Sequence, residues 1–177
     1  MNYAVYTVGR AGLFRIRKGD GVLKFVLVGV VLAIAAVLAY VRFAPSDPAR
    51  WHVDIAAADF VPPVRWAAFC PSPGSREFVS GSTLAKLADV AEATPRTTRL
   101  AGSVAEGRIT WITRSRLFGF PDYATAATIG TTDGPQLCIV SRQRFGSEDG
   151  GVNAAKLQSW LIAANGYPEP PALVWKP

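Results

Sequence analysis

The chain has 177 residues, half of them hydrophobic, with 19 Lys or Arg against 13 Asp or Glu and a single histidine. The formal charge of +6 sits at the front, since residues 44 to 177 hold 13 Lys or Arg and 12 Asp or Glu, so nucleic acid is not implied as a partner. Two cysteines and one histidine do not make an ordinary zinc site, and no cofactor-binding motif is present, so no metal and no cofactor is expected.

Residues 1 to 24 form a basic leader, with Arg10, Arg15, Arg17, Lys18 and Lys24 against Asp20. Phe25 to Val41 then read FVLVGVVLAIAAVLAYV, without a charge. A helix of that length rises by about 25 Å against about 30 Å of hydrocarbon, so Val22 and Leu23 extend it while Lys24 and Arg42 snorkel to the two surfaces. The reading is a transmembrane helix over residues 25 to 43, with membrane lipid as its partner. Two alternatives stand beside it. A buried core helix would need apolar neighbours that no other element supplies, and a cleaved signal peptide would need a better site than Arg42-Phe43-Ala44-Pro45. The first residues beyond the span hold only Arg42 and Arg50, so the leader is expected in the cytoplasm and the rest of the chain across the membrane.

Residues 44 to 80 contain Pro45, Pro48, Pro62, Pro63, Pro71 and Pro73 and are expected to form a stalk that wraps the domain, without regular structure until about Ser80. Tyr40, Phe43 and Trp51 suit an interfacial aromatic belt at its membrane end. The chain beyond the span is long enough for one domain and too short for two. Ser82 or Thr83 caps a helix carrying Leu84, Leu87, Val90 and Ala91 on one face and ending at Pro95. Four strands come next, at about Thr97 to Val104, Arg108 to Ser115, Tyr123 to Gly130 and Gln136 to Arg144. A last helix runs from about Val152 to Ala164, with Val152, Leu157, Trp160 and Leu161 on one face and Gly166 past its end. Residues 81 to 165 therefore read as an α+β domain: helix, four-stranded antiparallel meander, helix, with both helices on one face. The Pro-rich tail, 166 to 177, is expected to be extended.

A turn at Thr131 to Pro135 that pairs Gly130 with Pro135 sets Tyr123 opposite Arg142, Thr125 opposite Val140 and Ala127 opposite Cys138. Ile109, Trp111, Ala124, Ala126, Leu137 and Ile139 then make the drier face, where the helices pack. The other face carries Ile112, Thr125, Val140 and Cys138, and at one end gathers Arg114, Tyr123 and Arg142. Asp122, Arg116 and Arg144 are expected nearby, with Asp149 reaching back from the loop after the last strand. This end is the candidate site. As structure, its arginines clamp Asp122 and Asp149; as a binding site, they attract a carboxylate or phosphate beside an exposed helix N-terminus.

Arg114-Ser-Arg-Leu-Phe-Gly-Phe-Pro-Asp122, then Ser141-Arg142, then Asp149-Gly-Gly-Val-Asn153 resemble the DUF1499 family of uncharacterised proteins over about Ser82 to Ala164. The resemblance implies a bacterial or plastid, membrane-linked or exported α+β domain, and supports a bacterial inner-membrane location with the C-terminal domain in the periplasm. It carries no established activity. The chain departs from the family pattern in the stretch Gln143 to Glu148 and in Ala154 and Ala155, where basic residues are common. The ligand-binding candidates are Arg114, Arg116, Asp122, Tyr123, Arg142, Asp149 and Asn153.

Enzyme chemistry has little support. His52 lies in the stalk beside Trp51, and no hydrolase, metalloprotease or phosphate-loop motif appears, so no catalytic residue is assigned. Cys70 and Cys138 read as a disulfide in an oxidising compartment, with two buried thiols as the alternative. The expected function is that of a non-catalytic accessory or scaffold protein docked on a membrane protein complex. The alternatives are a binder of an anionic small molecule or lipid headgroup at the arginine end, and an envelope hydrolase.

Overall fold

The structure, a computed structural model, describes residues 18–57, 59–63, 65–70, 83–131, 134–146 and 148–165. Arg10, Arg15 and Arg17, the Ser82 capping alternative, the centre of the turn at 132–133, Ser147, Gly166 and the Pro-rich tail lie outside them.

Helix α1 covers Lys18–Phe43, and within it Gly21–Phe43, whose most apolar 18-residue stretch has a mean hydropathy of 2.8, is long and apolar enough to cross a membrane. The chain divides into two compact units after Ala39. The second is an α+β domain. It opens with α2 (Pro48–Trp51), a single turn whose start is fixed by the Asp47 carboxylate accepting the Ala49 N–H at 2.9 Å, with proline where no N–H is needed. Then come β1 (Ala67–Phe69), α3 (Leu84–Ala93), β2 (Thr97–Ser103), β3 (Arg108–Arg114), β4 (Pro121–Thr131), β5 (Gly134–Gln143) and α4 (Val152–Asn165).

The sheet is antiparallel and five-stranded, in the order β1-β5-β4-β3-β2. Four strands and an irregular segment up to Ser80 are what the sequence suggests, and β1 corrects both. Ala67-Ala68-Phe69 is too short to show a period, yet it covers the edge of β5 that would otherwise present unpaired N–H and C=O groups. The path from β1 at one edge through α3 to β2 at the other also departs from a pure meander. Between β4 and β5 the register is the expected one, with Tyr123 against Arg142, Thr125 against Val140 and Ala127 against Cys138.

Thr83 caps α3, its hydroxyl accepting the Lys86 N–H at 3.2 Å. Leu84, Leu87, Ala88 and Ala91 of α3 and Leu157, Trp160 and Leu161 of α4 bury against Ile109, Trp111, Ala124, Ala126, Leu137 and Ile139, the face expected to carry the helices. Val152 is a correction: it is 62% exposed, because the first turn of α4 points Asn153, 1% exposed and bonded to Ser141, toward the sheet in its place.

The opposite face is covered too. The segment between α1 and β1 lies across it, placing Ile55 on Ala127, Cys138 and Val140, and Trp51 on Ile112 and Tyr123. This strap makes the sheet the middle of three layers and buries Trp51 to 6% exposure, so Trp51 belongs to the domain core and not to an interfacial belt. Leu100, the extra residue of a bulge in β2, packs on the same cluster.

Candidate functional site

Alternation along the strands sends neighbouring residues to opposite faces, and this splits the seven candidates into groups. Tyr123 and Arg142 face the strap. Trp51 stacks on Tyr123 with ring centroids 3.8 Å apart and planes 7° from parallel. The Arg142 guanidinium carbon lies 4.8 Å from the Trp51 ring centre and 4.4 Å from that of Trp66, and Nη2 donates to the carbonyls of Arg50 at 3.3 Å and Trp51 at 3.0 Å. Burial, with Arg50 nearby, lowers the Arg142 pKa, but a guanidinium remains charged at any physiological pH. Arg144 donates to the Pro45 carbonyl at 2.7 Å and to the Tyr123 hydroxyl at 3.4 Å, and that hydroxyl also bonds Ser46 at 2.7 Å. Arg142 Nη2 and Arg144 Nη1 are thus turned to backbone carbonyls of the strap, Nη1 of Arg144 also reaching Tyr123.

Asp122, Asp149 and Asn153 gather on the helix side, with two residues the sequence does not single out for the site. Ser141 donates its hydroxyl to Asn153 Oδ1 at 2.6 Å, and Lys156 Nζ donates to the same oxygen at 2.9 Å. Asp149 opens α4 by accepting the N–H groups of Gly151 and Asn153, both at 2.9 Å. Burial works to raise its pKa, but these N–H groups and the Asn153 side chain outweigh it and hold the carboxyl below its usual range. Asp122 is raised by burial against the pull of Lys156, and Lys156 is pushed down to about 8 by burial despite both carboxylates. Asn153 is 1% exposed; its Nδ2 forms no well-made hydrogen bond, though the side chain still favours the charged form of both aspartates.

Arg114 and Arg116 join neither group. Arg114 Nη1 holds the Gly119 carbonyl at 3.1 Å and so braces the loop 115–120, while Arg116 is exposed. The expected clamp of Arg114, Arg116 and Arg142 on Asp122 and Asp149 is therefore absent, because the sheet itself stands between Arg142 and the two acids. Glu92 with Arg99 and Asp54 with Arg108 form the ion pairs among the described residues.

His52 forms a third cluster. Its Nδ1 lies 2.8 Å from the Thr110 hydroxyl, which in turn lies 2.9 Å from that of Thr125, and Nε2 accepts from Arg108 Nε at 3.1 Å. Burial first and Arg108 second lower its pKa, so the ring is neutral at pH 7 with the Nδ1 proton directed at Thr110. The Nε2 lone pair, which a general base would need, is already taken by Arg108. Among the described residues no three of His, Cys, Asp and Glu gather as metal ligands. Cys70, one residue past the end of β1, and Cys138, in the middle of β5, have their sulfurs joined, which ties the strap to β5.

A protein-family model described as "Protein of unknown function (DUF1499)" matches residues 43–163, from the end of the apolar helix through the strap to α4. No curated protein and no solved structure matches the chain.

Proposed function

The chain belongs to the DUF1499 family of proteins of unknown function, and on that footing we propose that it is a single-pass membrane-anchored accessory protein. Its domain stands on the periplasmic face of a bacterial inner membrane and scaffolds a membrane or envelope process. The observation that carries this reading is the use made of Arg142. Flanked by Trp51 and Trp66 and bonded to the carbonyls of Arg50 and Trp51, it fastens the segment just behind α1 to the sheet. Side chains spent in this way couple an anchor to a domain, whereas a pocket for a soluble anion needs its arginine donors free. The occupied Nε2 of His52 weighs against acid–base chemistry in the strap. The basic leader supports the periplasmic side, and the joined Cys70 and Cys138 accord with an oxidising compartment.

The test is purification of the full-length protein from its native membrane in mild detergent, with identification of the molecules that remain bound. A stoichiometric protein partner, lost when the span is exchanged for an unrelated one, supports the scaffold. A lone protein carrying a small anion overturns it.

A further inference from the structure

We infer that the loop 115–120 is a lipid-contacting surface, seated in the headgroup layer with Leu117 and Phe118 as its apolar contacts and Arg42 and Arg116 as its contacts to anionic headgroups. The inference rests on the anchor reading above and adds that the domain lies on the bilayer.

Leu117 is 78% exposed and Phe118 45% exposed, adjacent in a loop whose backbone is closed on itself. The Ser115 N–H bonds the Phe120 carbonyl at 2.9 Å, the Phe120 N–H bonds the Ser115 hydroxyl at 2.9 Å, and the Gly119 N–H bonds the Ser115 carbonyl at 3.2 Å. A loop held this firmly presents its two apolar side chains to solvent at a cost that an aqueous surface does not return.

The neighbours of the loop name the partner. Gly119, at a φ of +71°, lies so close to Arg42 that a Cβ there would stand 2.6 Å from Nη1. Phe120 packs on Phe145 with ring centroids 6.2 Å apart, and Phe145 packs on Tyr40 at 6.1 Å. Tyr40 to Phe43 are the end of the apolar run, so in an anchored protein they lie at the bilayer surface, and whatever packs on them lies within the interfacial layer, about 5 to 8 Å thick on each side. Phe43 is 77% exposed at the same place. Exposed aromatic and aliphatic side chains beside arginines are the composition that layer favours, the rings among the headgroups and the guanidinium groups on phosphates. Arg42 and Arg116 are exposed and form no ion pair with a described residue.

The experiment places a fluorescent nitrobenzoxadiazole label on the full-length protein at Leu117→Cys and reconstitutes it in vesicles of phosphatidylcholine and phosphatidylglycerol containing doxyl-labelled lipid. Two further variants calibrate it: Leu32→Cys within the span, and Ala105→Cys, exposed at the other end of β3. The label at 117 is expected to shift to the blue and lose emission to the doxyl lipid, as at 32, while 105 does neither. Quenching at 32 but not at 117 overturns the inference and leaves the anchor standing. A label at 117 shielded from aqueous iodide yet untouched by doxyl lipid overturns it in favour of a protein-covered loop. No quenching at 32 removes the anchor reading, and the inference falls with it.

Discussion

Ser141 and Arg142 are consecutive in β5 and fasten opposite layers to the sheet: Ser141 bonds Asn153 of α4 at 2.6 Å, and Arg142 bonds the Trp51 carbonyl of the strap at 3.0 Å. A strand's alternation lets one dipeptide tie a helix to one face and an irregular segment to the other. The motif residues thus act as joints between layers, and the joint on the strap side holds Arg50 and Trp51 against the sheet.

Replacing Arg142 tests that joint. Arg142→Ala removes a charged donor from two carbonyls and a cation from two indoles, and should destabilise the domain by about 3 kcal/mol, taking about 1.5 to 3 for hydrogen bonds to a charged group and about 0.5 to 1 per ring contact. Arg142→Lys keeps the charge but loses the planar fork and should fall between the two. Urea unfolding of the detergent-solubilised protein, followed by tryptophan fluorescence, measures both. An Arg142→Ala protein as stable as the parent would remove the coupling role.

Lys156 makes stability depend on alkaline pH. Its folded pKa of about 8 lies below the 10.5 of an ordinary lysine, so between those values the unfolded chain holds more protons than the folded one. Stability from this group therefore rises as pH climbs from about 8 to about 10.5, and is flat below, where both states are protonated. The full span is on the order of 3 kcal/mol, from about 1.4 kcal/mol per pKa unit. Lys156→Met should remove that rise while leaving the slope of every other group. Unfolding midpoints of the two proteins at pH 8, 9 and 10 separate the cases, and parallel curves would show that Lys156 titrates like a surface lysine.

Much of this arrangement is legible in the sequence, and the missing parts have physical causes. The register of β4 and β5 follows from one turn and a period of two, because Ile139 has to stand opposite Ala126, with Leu137 and Ala124 on the same buried side. The same alternation separates Asp122 from Tyr123, so a cluster drawn at one end of the sheet is really two clusters with the sheet between them. That the stalk wraps the domain is expected from the sequence; where it docks is not legible. Trp51 and Trp66 are held by residues more than fifty positions away, and no local pattern marks Ala67–Phe69 as a strand. Lys156 was within reach, three residues after Asn153 and therefore on the same face of α4.

Gly102 keeps His52 in place. It sits at a φ of +85° in β2, and a Cβ there would collide with the Arg108 carbonyl and stand 2.8 Å from His52 Cε1. Gly102→Ala therefore meets backbone on one side and an unfavourable φ on the other, which together should cost about 2 kcal/mol or more. His52→Ala in the same background removes the nearer side-chain clash but not the backbone one. If the double variant recovers only a small part of the loss in a denaturation series, the Arg108 carbonyl is the dominant obstacle. Full recovery would assign the cost to the imidazole.

The bridge between Cys70 and Cys138 closes 68 residues of chain, from the strap to β5. Loop-closure entropy for that length gives about 4 kcal/mol of stabilisation, in a model that counts only the unfolded chain. Its placement makes the effect local as well. Reduction frees the end of the strap next to β1, so the edge of β5 should exchange its amide hydrogens faster while the helix-side core stays protected. Alkylation of the unreduced, unfolded protein from its native membrane should label neither cysteine. Labelling of both would show the thiols reduced in the cell, and with them the domain would move from the periplasmic side of the membrane to the cytoplasmic one.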